Sequence, residues 1–529
     1  MIVLIVNQNC VFSLESESEP PIAVDSNRPV VLQIAFQRMQ APSRRVQVGG
    51  RLCRIQGVKL KGELGGMSRL NSRLTSGLEE YLNSRVPKAL DHALSVAPHA
   101  QIFKSNVAAR RRYRKREQVR RSKRNICRKG GPTGDNECSR KARTTLKKLA
   151  LLGSTGSIGQ STLSIVEQFP ERYQVAALAA GRNLDEAFAQ ALRWRPRVVS
   201  MATEELAGEL AARLRQAGVT GIEAVYGTEG TVACSTLPEA DFVVSAIVGV
   251  AGLEATHAAI LAGKPVGLAN KECMVAAGEI LTRAARERNV PILPIDSEHN
   301  AVHQCLRVGA HSEVKTIWLT ASGGPFRQLP LDQFAAITPE RALKHPTWVM
   351  GRRITIDSAT MLNKGLEVIE ACRLFDVRPG QVRVTVHPQS TVHSLVEYVD
   401  GSILAQISVT DMRLPILYAL AWPERPASTL TFDLAALRHL DFEPPDFERF
   451  PCLRLAFEAA EKGGAHCIAL NAADEVAVEA FLDRRIPFTG IPRTIEKVLA
   501  STPEAHPATI AEVLACDRAA REAAGALLT

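Results

Sequence analysis

Leu149-Ala-Leu-Leu152-Gly153-Ser-Thr-Gly156-Ser-Ile-Gly159, continuing as an amphipathic run to Gln168, is the stretch from which the rest of this 529-residue chain can be read. A short apolar strand enters a glycine turn, and the turn opens a helix. That context gives a glycine fingerprint meaning: glycines let the backbone approach a pyrophosphate, and the helix N-terminus offers it free N–H groups. The spacing here is G-x-x-G-x-x-G rather than G-x-G-x-x-G, and Gly/Ser turns also open helices that bind nothing.

The next strand sharpens the reading. Residues 174–180 end in Gly181-Arg182-Asn183, about 20 residues past the turn, where the ribose 2′ position is read. An acid there suits NAD; an arginine suits a 2′-phosphate. Asp185 fits the acidic first turn of a helix over 184–194 better than a ribose contact. NADPH is therefore expected over NADH. Strands at 198–200, 223–226, 242–246, 266–269 and 291–295, with helices between them at 204–217, 253–262 and 274–288, continue the alternation. The expectation is a Rossmann-like, doubly wound parallel domain over 148–296. Its strand 266–269 exits into Asn270-Lys271-Glu272, polar residues at the carboxyl edge of the sheet, or simply a helix start capped by Asn270.

The last strand of that domain runs into Ile295-Asp296-Ser297-Glu298-His299-Asn300. Read as a strand end, it places Asp296 and Glu298 on one side, where ligands sit in open α/β sheets. Two carboxylates with oxygen-only chemistry suit a hard cation, Mg²⁺ or Mn²⁺. The competing reading is an acidic turn capping the next helix. Beyond it, a strand at 314–320 leads to Ala321-Ser322-Gly323-Gly324, a turn with backbone donors for an anion. Lys344-His345-Pro346-Thr347-Trp348-Val349-Met350-Gly351 reads as a lid that shuts out water, or as a surface loop with its tryptophan tucked into the core. A short strand is expected at 354–357 and a helix over 358–375. On that helix Asn363 and Glu367 share a face, Glu367 is a third carboxylate, and Ser358, Asn363 and Lys364 could hold a phosphate at the helix start. Strands at 382–387, 392–399 and 403–409, the last two joined across Asp400-Gly401, give a mixed sheet. A helix over 411–421 closes an α+β catalytic domain, 297–424. From 425 onward only helices are expected, at 453–462, 472–483, 491–499 and 509–527, forming a small all-α C-terminal domain over 425–529.

Residues 1–147 differ. The formal charge of +10 misleads, because 1–147 carry 29 basic and 11 acidic side chains and 148–529 carry 36 and 44. The block 110–129 alone holds 12 Lys/Arg and one acid, the mark of a solvated segment. Residues 13–21 read as disordered and 70–97 as one or two short helices. The extension is a targeting peptide, an arm for nucleic acid or another anionic surface, or sequence translated from a start codon placed too early. The 11 cysteines are scattered with no Cys-x-x-Cys pair, so neither a disulfide framework nor a structural zinc site is expected, and a reducing compartment fits best. No apolar run is long enough to span a bilayer, so no membrane partner is expected.

Taken together, Gly153-Ser-Thr-Gly-Ser-Ile-Gly159, Ala269-Asn-Lys-Glu272, Asp296-Ser-Glu-His-Asn300, Ser322-Gly-Gly-Pro-Phe326, His345-Pro, Asp357-Ser-Ala-Thr-Met361, Asn363-Lys-Gly-Leu-Glu367, His387-Pro-Gln-Ser390 and Asn471-Ala-Ala473 resemble the 1-deoxy-D-xylulose 5-phosphate reductoisomerase family, over about 148–515. The resemblance implies an NADPH- and Mn²⁺- or Mg²⁺-dependent enzyme. It would convert 1-deoxy-D-xylulose 5-phosphate to 2-C-methyl-D-erythritol 4-phosphate in the non-mevalonate isoprenoid pathway. It implies a metal on Asp296, Glu298 and Glu367. Substrate would lie on Lys271, Ser297, Glu298, Ser322, His345, Trp348, Ser358, Asn363, Lys364 and Glu367, with Lys271, Glu298, His345 and Glu367 closest to the chemistry. NADPH would lie on Thr155, Gly156, Ser157, Ile158, Gly181, Arg182, Asn183, Asn270, Glu272 and Gly351. His387 would be a supporting residue. Arg182 stands where many relatives carry lysine, and the extension has no counterpart. A cytoplasmic homodimer is expected, or a plastid protein if the extension is a transit peptide. Two other classes stay open: a homoserine- or semialdehyde-type NADP dehydrogenase, which would not need three convergent carboxylates, and a nucleic-acid-binding protein, argued only from the basic block.

Overall fold

The computed structural model describes residues 44–48, 51–55, 146–348 and 350–528. The expectations placed on 13–21, 70–97 and 110–129 lie outside these. Within the extension, β1 (Arg44–Val48) pairs antiparallel with β2 (Arg51–Ile55), two strands the sequence reading did not foresee.

Residues 146–528 begin with a seven-stranded sheet. In chain order it is built from β3 (Lys147–Leu152), α1 (Ser157–Gln168), β4 (Tyr173–Ala179), α2 (Leu184–Trp194), β5 (Val198–Met201), α3 (Glu204–Gln216), β6 (Glu223–Tyr226), α4 (Gly227–Thr236), β7 (Phe242–Ser245), α5 (Leu253–Leu261), β8 (Val266–Leu268), α6 (Lys271–Arg288) and β9 (Ile292–Pro294). The strand order is β6-β5-β4-β3-β7-β8-β9, every pair parallel. The chain starts at β3, winds outward to β6, then returns to β7 on the other side of β3. That reversal opens a crevice at the carboxyl ends of β3 and β7, where such sheets bind ligands. Leu149 to Leu152 are buried on both faces, as a parallel strand between helical layers must be.

α7 (Ser297–Cys305) leads to β10 (Val314–Ala321), the short α8 (Pro339–Ala342), α9 (Arg352–Ala359), α10 (Leu362–Phe375), β11 (Val382–Val386), β12 (Val392–Tyr398), β13 (Ile403–Ile407) and α11 (Arg413–Ala421). The second sheet has the order β11-β10-β12-β13; β10 and β11 are parallel and the rest antiparallel. Four helices follow: α12 (Pro451–Lys462), α13 (Gly464–Leu482), α14 (Gly490–Ser501) and α15 (Ile510–Ala526). They share one apolar core with the second sheet and α10. Its centre is aromatic: the Phe326 and Phe488 rings lie 5.4 Å apart, Phe481 and Phe488 5.6 Å, and Phe334 and Phe450 6.1 Å. α11 instead buries Ile416, Leu417, Ala419 and Leu420 against the first sheet's layer with Leu149 and Leu163.

Three local expectations are corrected. Residues 354–357 are not a strand; they lie inside α9, where Ile356 and Ala359 face the core one turn apart. The β-branched run Ile354-Thr355-Ile356 favours a strand, but packing overrides so weak a preference. Ser358 consequently sits in the last turn of α9 rather than opening a helix, because Met361 takes a left-handed conformation (φ 61°) and α10 starts after it. The strand before Asp296 stops at Pro294. No described helix is long and apolar enough to cross a membrane.

Candidate active site

The crevice side is made of backbone. Gly153 has φ +85°, and a Cβ there would stand 2.4 Å from the Ala246 carbonyl oxygen at the end of β7. A Cβ on Gly159 would stand 2.3 Å from the Ser154 oxygen, so the turn closes only with hydrogens at both positions. Gly156 caps α1 without any side-chain hydrogen bond, and the first turn carries no acid. The Gly156 N–H closes the turn by donating to the Gly153 carbonyl at 3.2 Å; the leading N–H groups at Ser157 and Ile158, beside Thr155 and Gly156, are left to face an anion, which fits the pyrophosphate of a dinucleotide. Gly181, Arg182 and Asn183 are exposed at the end of β4. Asn183 caps α2, accepting from the Glu186 N–H at 3.2 Å. Arg182 has no ion pair among the described residues, which leaves its charge for a 2′-phosphate.

Asn270 caps α6 by accepting from the Cys273 N–H at 3.0 Å, and its amide donates to the Gly249 carbonyl at 2.8 Å. Both readings of 270–272 therefore hold: Asn270 is a cap, and the cap swings Lys271 inward. Glu272, assigned to NADPH, has its carboxylate committed to Arg353 at 3.0 Å. Arg353 also meets Glu475 (2.8 Å), Asp474 (3.3 Å) and Asp357 (3.6 Å), so this guanidinium ties α6, α9 and α13 together. Gly351 precedes that arginine as the exposed cap of α9.

The other side is made of buried charge. Asp296 caps α7, its Oδ1 accepting from the N–H groups of Glu298 (3.1 Å) and His299 (3.3 Å). The capping reading is correct and so is the convergence; the two acids meet through a helix start, not through strand alternation. One oxygen from each of Asp296, Glu298 and Glu367 lies within 4.8 Å of the others. Lys271 Nζ reaches Asn363 Oδ1 (2.7 Å), Asp296 Oδ2 (3.0 Å) and Glu367 Oε1 (3.1 Å). Lys364 bonds Glu367 and lies 3.5 Å from Glu298 Oε1, and Asn363 Nδ2 donates to Glu367 Oε1 at 2.7 Å. Burial works against the charge of Asp296, yet Lys271 holds its carboxyl well below the usual range. Burial, and then repulsion from Glu367 and Asp296, push Glu298 up to about 7 against the pull of Lys364. Three carboxylates face two ammoniums, so a further cation is favoured, and an all-oxygen donor set suits Mg²⁺ or Mn²⁺.

The wall opposite carries Ser322 and His345. Nδ1 of His345 accepts from the Trp348 N–H at 2.9 Å, so its hydrogen is on Nε2, which donates to Ser322 Oγ at 3.0 Å. Burial lowers His345 to about 4, so it is neutral at pH 7. The Gly324 Cα approaches α9 so closely that a Cβ would stand 2.7 Å from the Ser358 carbonyl oxygen, which brings the Ser322 turn beside Ser358. Trp348 and Ser297 line one cavity with His393, Asn300 and Tyr418. His387 is structural: its ring pairs with the Asp441 carbonyl (2.8 Å) and Thr391 Oγ1 (3.1 Å) and stacks on Phe442. Sequence reasoning missed His299, Glu370 and His393. His299 is adjacent to Glu298, and Glu370 lies one helical turn past Glu367, so position alone could have flagged the first two.

Comparison with known proteins decides the family. The model for 1-deoxy-D-xylulose 5-phosphate reductoisomerase matches residues 149–278, that for its C-terminal domain matches 292–375, and the DXP reductoisomerase C-terminal domain matches 407–523. The chain belongs to the 1-deoxy-D-xylulose 5-phosphate reductoisomerase family. The Methylococcus capsulatus member is 51% identical over 385 residues, which are 72% of this chain and 98% of the relative; the Solibacter usitatus member is 50% identical over 380 residues, 71% and 96%. Among solved structures, the Zymomonas mobilis reductoisomerase in complex with NADPH superposes with a TM-score of 0.68 at 46% identity, covering 72% of this chain and 99% of that one. A reductoisomerase in complex with NADPH, fosmidomycin and magnesium gives 0.68 at 42%, covering 72% and 98%.

Proposed function

We propose that the two sides of this crevice act as one site, with NADPH on the glycine turn and phosphoketose and metal on the carboxylate side. The enzyme is an NADPH- and divalent-metal-dependent reductoisomerase that turns 1-deoxy-D-xylulose 5-phosphate into 2-C-methyl-D-erythritol 4-phosphate, a step of the non-mevalonate isoprenoid pathway. Family membership disfavours the homoserine- or semialdehyde-type alternative. The observation that carries the site assignment is the meeting of Asp296, Glu298 and Glu367 within 4.8 Å.

Asp296, Glu298 and Glu367 would hold the cation, which when bound polarises substrate oxygens as a Lewis acid. Thr155, Gly156, Ser157, Ile158, Gly181, Arg182, Asn183, Asn270 and Gly351 would orient NADPH, which when bound would supply the hydride; Glu272 would serve that set indirectly, through Arg353. Lys271 and Lys364 keep positive charge beside the carboxylates and stabilise oxyanion character as a carbon–carbon bond is redistributed. His345, neutral with its hydrogen on Nε2, is a donor rather than a cation. With Ser322, Ser358, Asn363 and Lys364 it forms a polar wall for the phosphate end. Ser297 and Trp348 close the cavity mouth, and the 344–351 loop excludes water from the intermediate.

The three-part division at 148–296, 297–424 and 425–529 describes roles rather than separate folding units, since the last two share a core. A homodimer through the second sheet is supported by β13, an edge strand whose Ile403 and Ile407 stand exposed beside exposed Val399. A reducing setting is supported by the seven cysteines of residues 146–528, all free thiols. The deciding assay follows NADPH consumption with 1-deoxy-D-xylulose 5-phosphate, with and without Mn²⁺ or Mg²⁺. Turnover that survives rigorous chelation would overturn the metal assignment.

A further inference from the structure

Glu370 lies on α10 one turn beyond Glu367 and is completely buried. Neither of its oxygens is in a well-formed hydrogen bond, and a lone carboxylate is costly to keep out of water. Its close partner is the ring of His299, whose Nδ1 is 3.0 Å from Glu370 Oε2. That ring reaches the carboxylate site from two directions. Its Nε2 meets the backbone oxygen of Glu367 at 2.9 Å, and its Nδ1 lies 3.3 Å from Asp296 Oδ1. A carbonyl oxygen only accepts, so Nε2 carries a hydrogen. Nδ1 then faces two carboxylates at once, and one further proton, on Nδ1 or on Glu370, is needed to remove lone-pair repulsion. His299 is also fully buried, with the Phe375 ring 6.0 Å away, so the ring cannot swing out to water.

We propose that Glu370 is a positioning residue for the metal site, acting through His299 to hold the Asp296 carboxylate and the Glu367 turn of α10 in register for one cation. Carboxylate–histidine pairs behind metal ligands work in this way, fixing the direction of the groups in front of them. The proposal rests on the three-carboxylate reading given above and adds two buried residues to it.

The test is Mn²⁺ titration, by electron paramagnetic resonance of the free ion, on the full chain and on Glu370→Gln, His299→Gln, the double variant and Asp296→Asn. NADPH binding by fluorescence serves as the control for an intact fold. Glu370→Gln should weaken Mn²⁺ binding roughly 10-fold or more while NADPH affinity stays at the wild-type value. His299→Gln should do the same, and the double variant should be no worse than either single one. A merely structural ion pair would lower the melting temperature without moving the Mn²⁺ constant of the folded protein. Unchanged Mn²⁺ affinity in Glu370→Gln, or additive losses in the double variant, overturns the proposal while Asp296→Asn still loses its metal. If Asp296→Asn also keeps wild-type affinity, the three-carboxylate reading falls with it. Should Glu370→Gln not fold, Glu370→Asp, which keeps the charge but draws it back from Nδ1, carries the same expectation and the same power to refute.

Discussion

The two walls of the crevice are made from opposite materials. On the side proposed for the nucleotide, main-chain N–H donors and three exposed residues, Gly181, Arg182 and Asn183, are on offer; the turn depends on what Gly153 and Gly159 lack. On the metal side the working groups are side chains held in the interior, where Lys271, Lys364, Asp296 and Glu367 are nine-tenths buried or close to it. A backbone cradle tolerates side-chain change around it but not added volume. A buried charge cluster tolerates volume better than the loss of a single charge, because each member is the counter-ion of another. The first wall should therefore fail sterically and locally, the second electrostatically and as a unit.

The largest expected effect lies on the metal side. Asp296→Asn should lower Mn²⁺ affinity roughly 100-fold or more, exceeding the 10- to 100-fold seen for outer partners, with NADPH binding preserved. Glu367→Gln should match it, and the double variant should fall well short of the sum; additive losses in a Mn²⁺ titration would mean the carboxylates do not share one ion. Next is Arg182→Ala, expected to raise KM for NADPH roughly 10-fold, given about 1.5–3 kcal/mol for a hydrogen bond to a charged group, and to leave NADH use nearly unchanged. Equal losses with both cofactors would remove the arginine from the 2′ position. A smaller effect comes from pH. Burial lowers His303, His345 and His393 each to about 4, with Arg307 adding to the shift at His303. The unfolded chain binds protons at these residues below pH 6.5 and the folded chain does not, so the stability these three histidines contribute falls from about pH 6.5 to about pH 4 and levels off below. His303→Gln should flatten this slope, read as melting temperature from pH 6.5 down to pH 4; an unchanged slope would remove His303 as a source of it. The smallest signal is Trp348 fluorescence, which should change when 1-deoxy-D-xylulose 5-phosphate and Mg²⁺ bind together. A constant spectrum at saturation would leave the tryptophan as permanent packing.

The same contrast governs what could be read without coordinates. The nucleotide side was legible nearly strand by strand, because a buried parallel strand followed by a glycine turn is a local pattern and its neighbours repeat it. Even there α4 escaped, since Gly227-Thr-Glu-Gly-Thr-Val-Ala-Cys-Ser-Thr236 is rich in poor helix formers and is helical through packing. On the metal side the residue identities were legible and the local geometry was not. Asp296 and Glu298 were expected to meet as strand neighbours and meet as cap and first turn; Ser358 was expected at a helix start and lies at a helix end. His299 and Glu370 went unnoticed, because what makes them matter is a contact between residues 71 positions apart, and sequence spacing carries no information about such a contact.

The aromatic cluster of Phe326, Phe334, Phe450, Phe481 and Phe488 has a practical bearing on how this chain can be cut. Phe326 and Phe334 come from the turn and loop after β10, whereas Phe450, Phe481 and Phe488 come from the last 80 residues. A fragment stopping at residue 424 would bare the first two rings to solvent together with the α10 face that packs on α12. Apolar surface of that size makes protein stick to itself. Truncation from the carboxyl side should thus yield inclusion bodies rather than a smaller working enzyme.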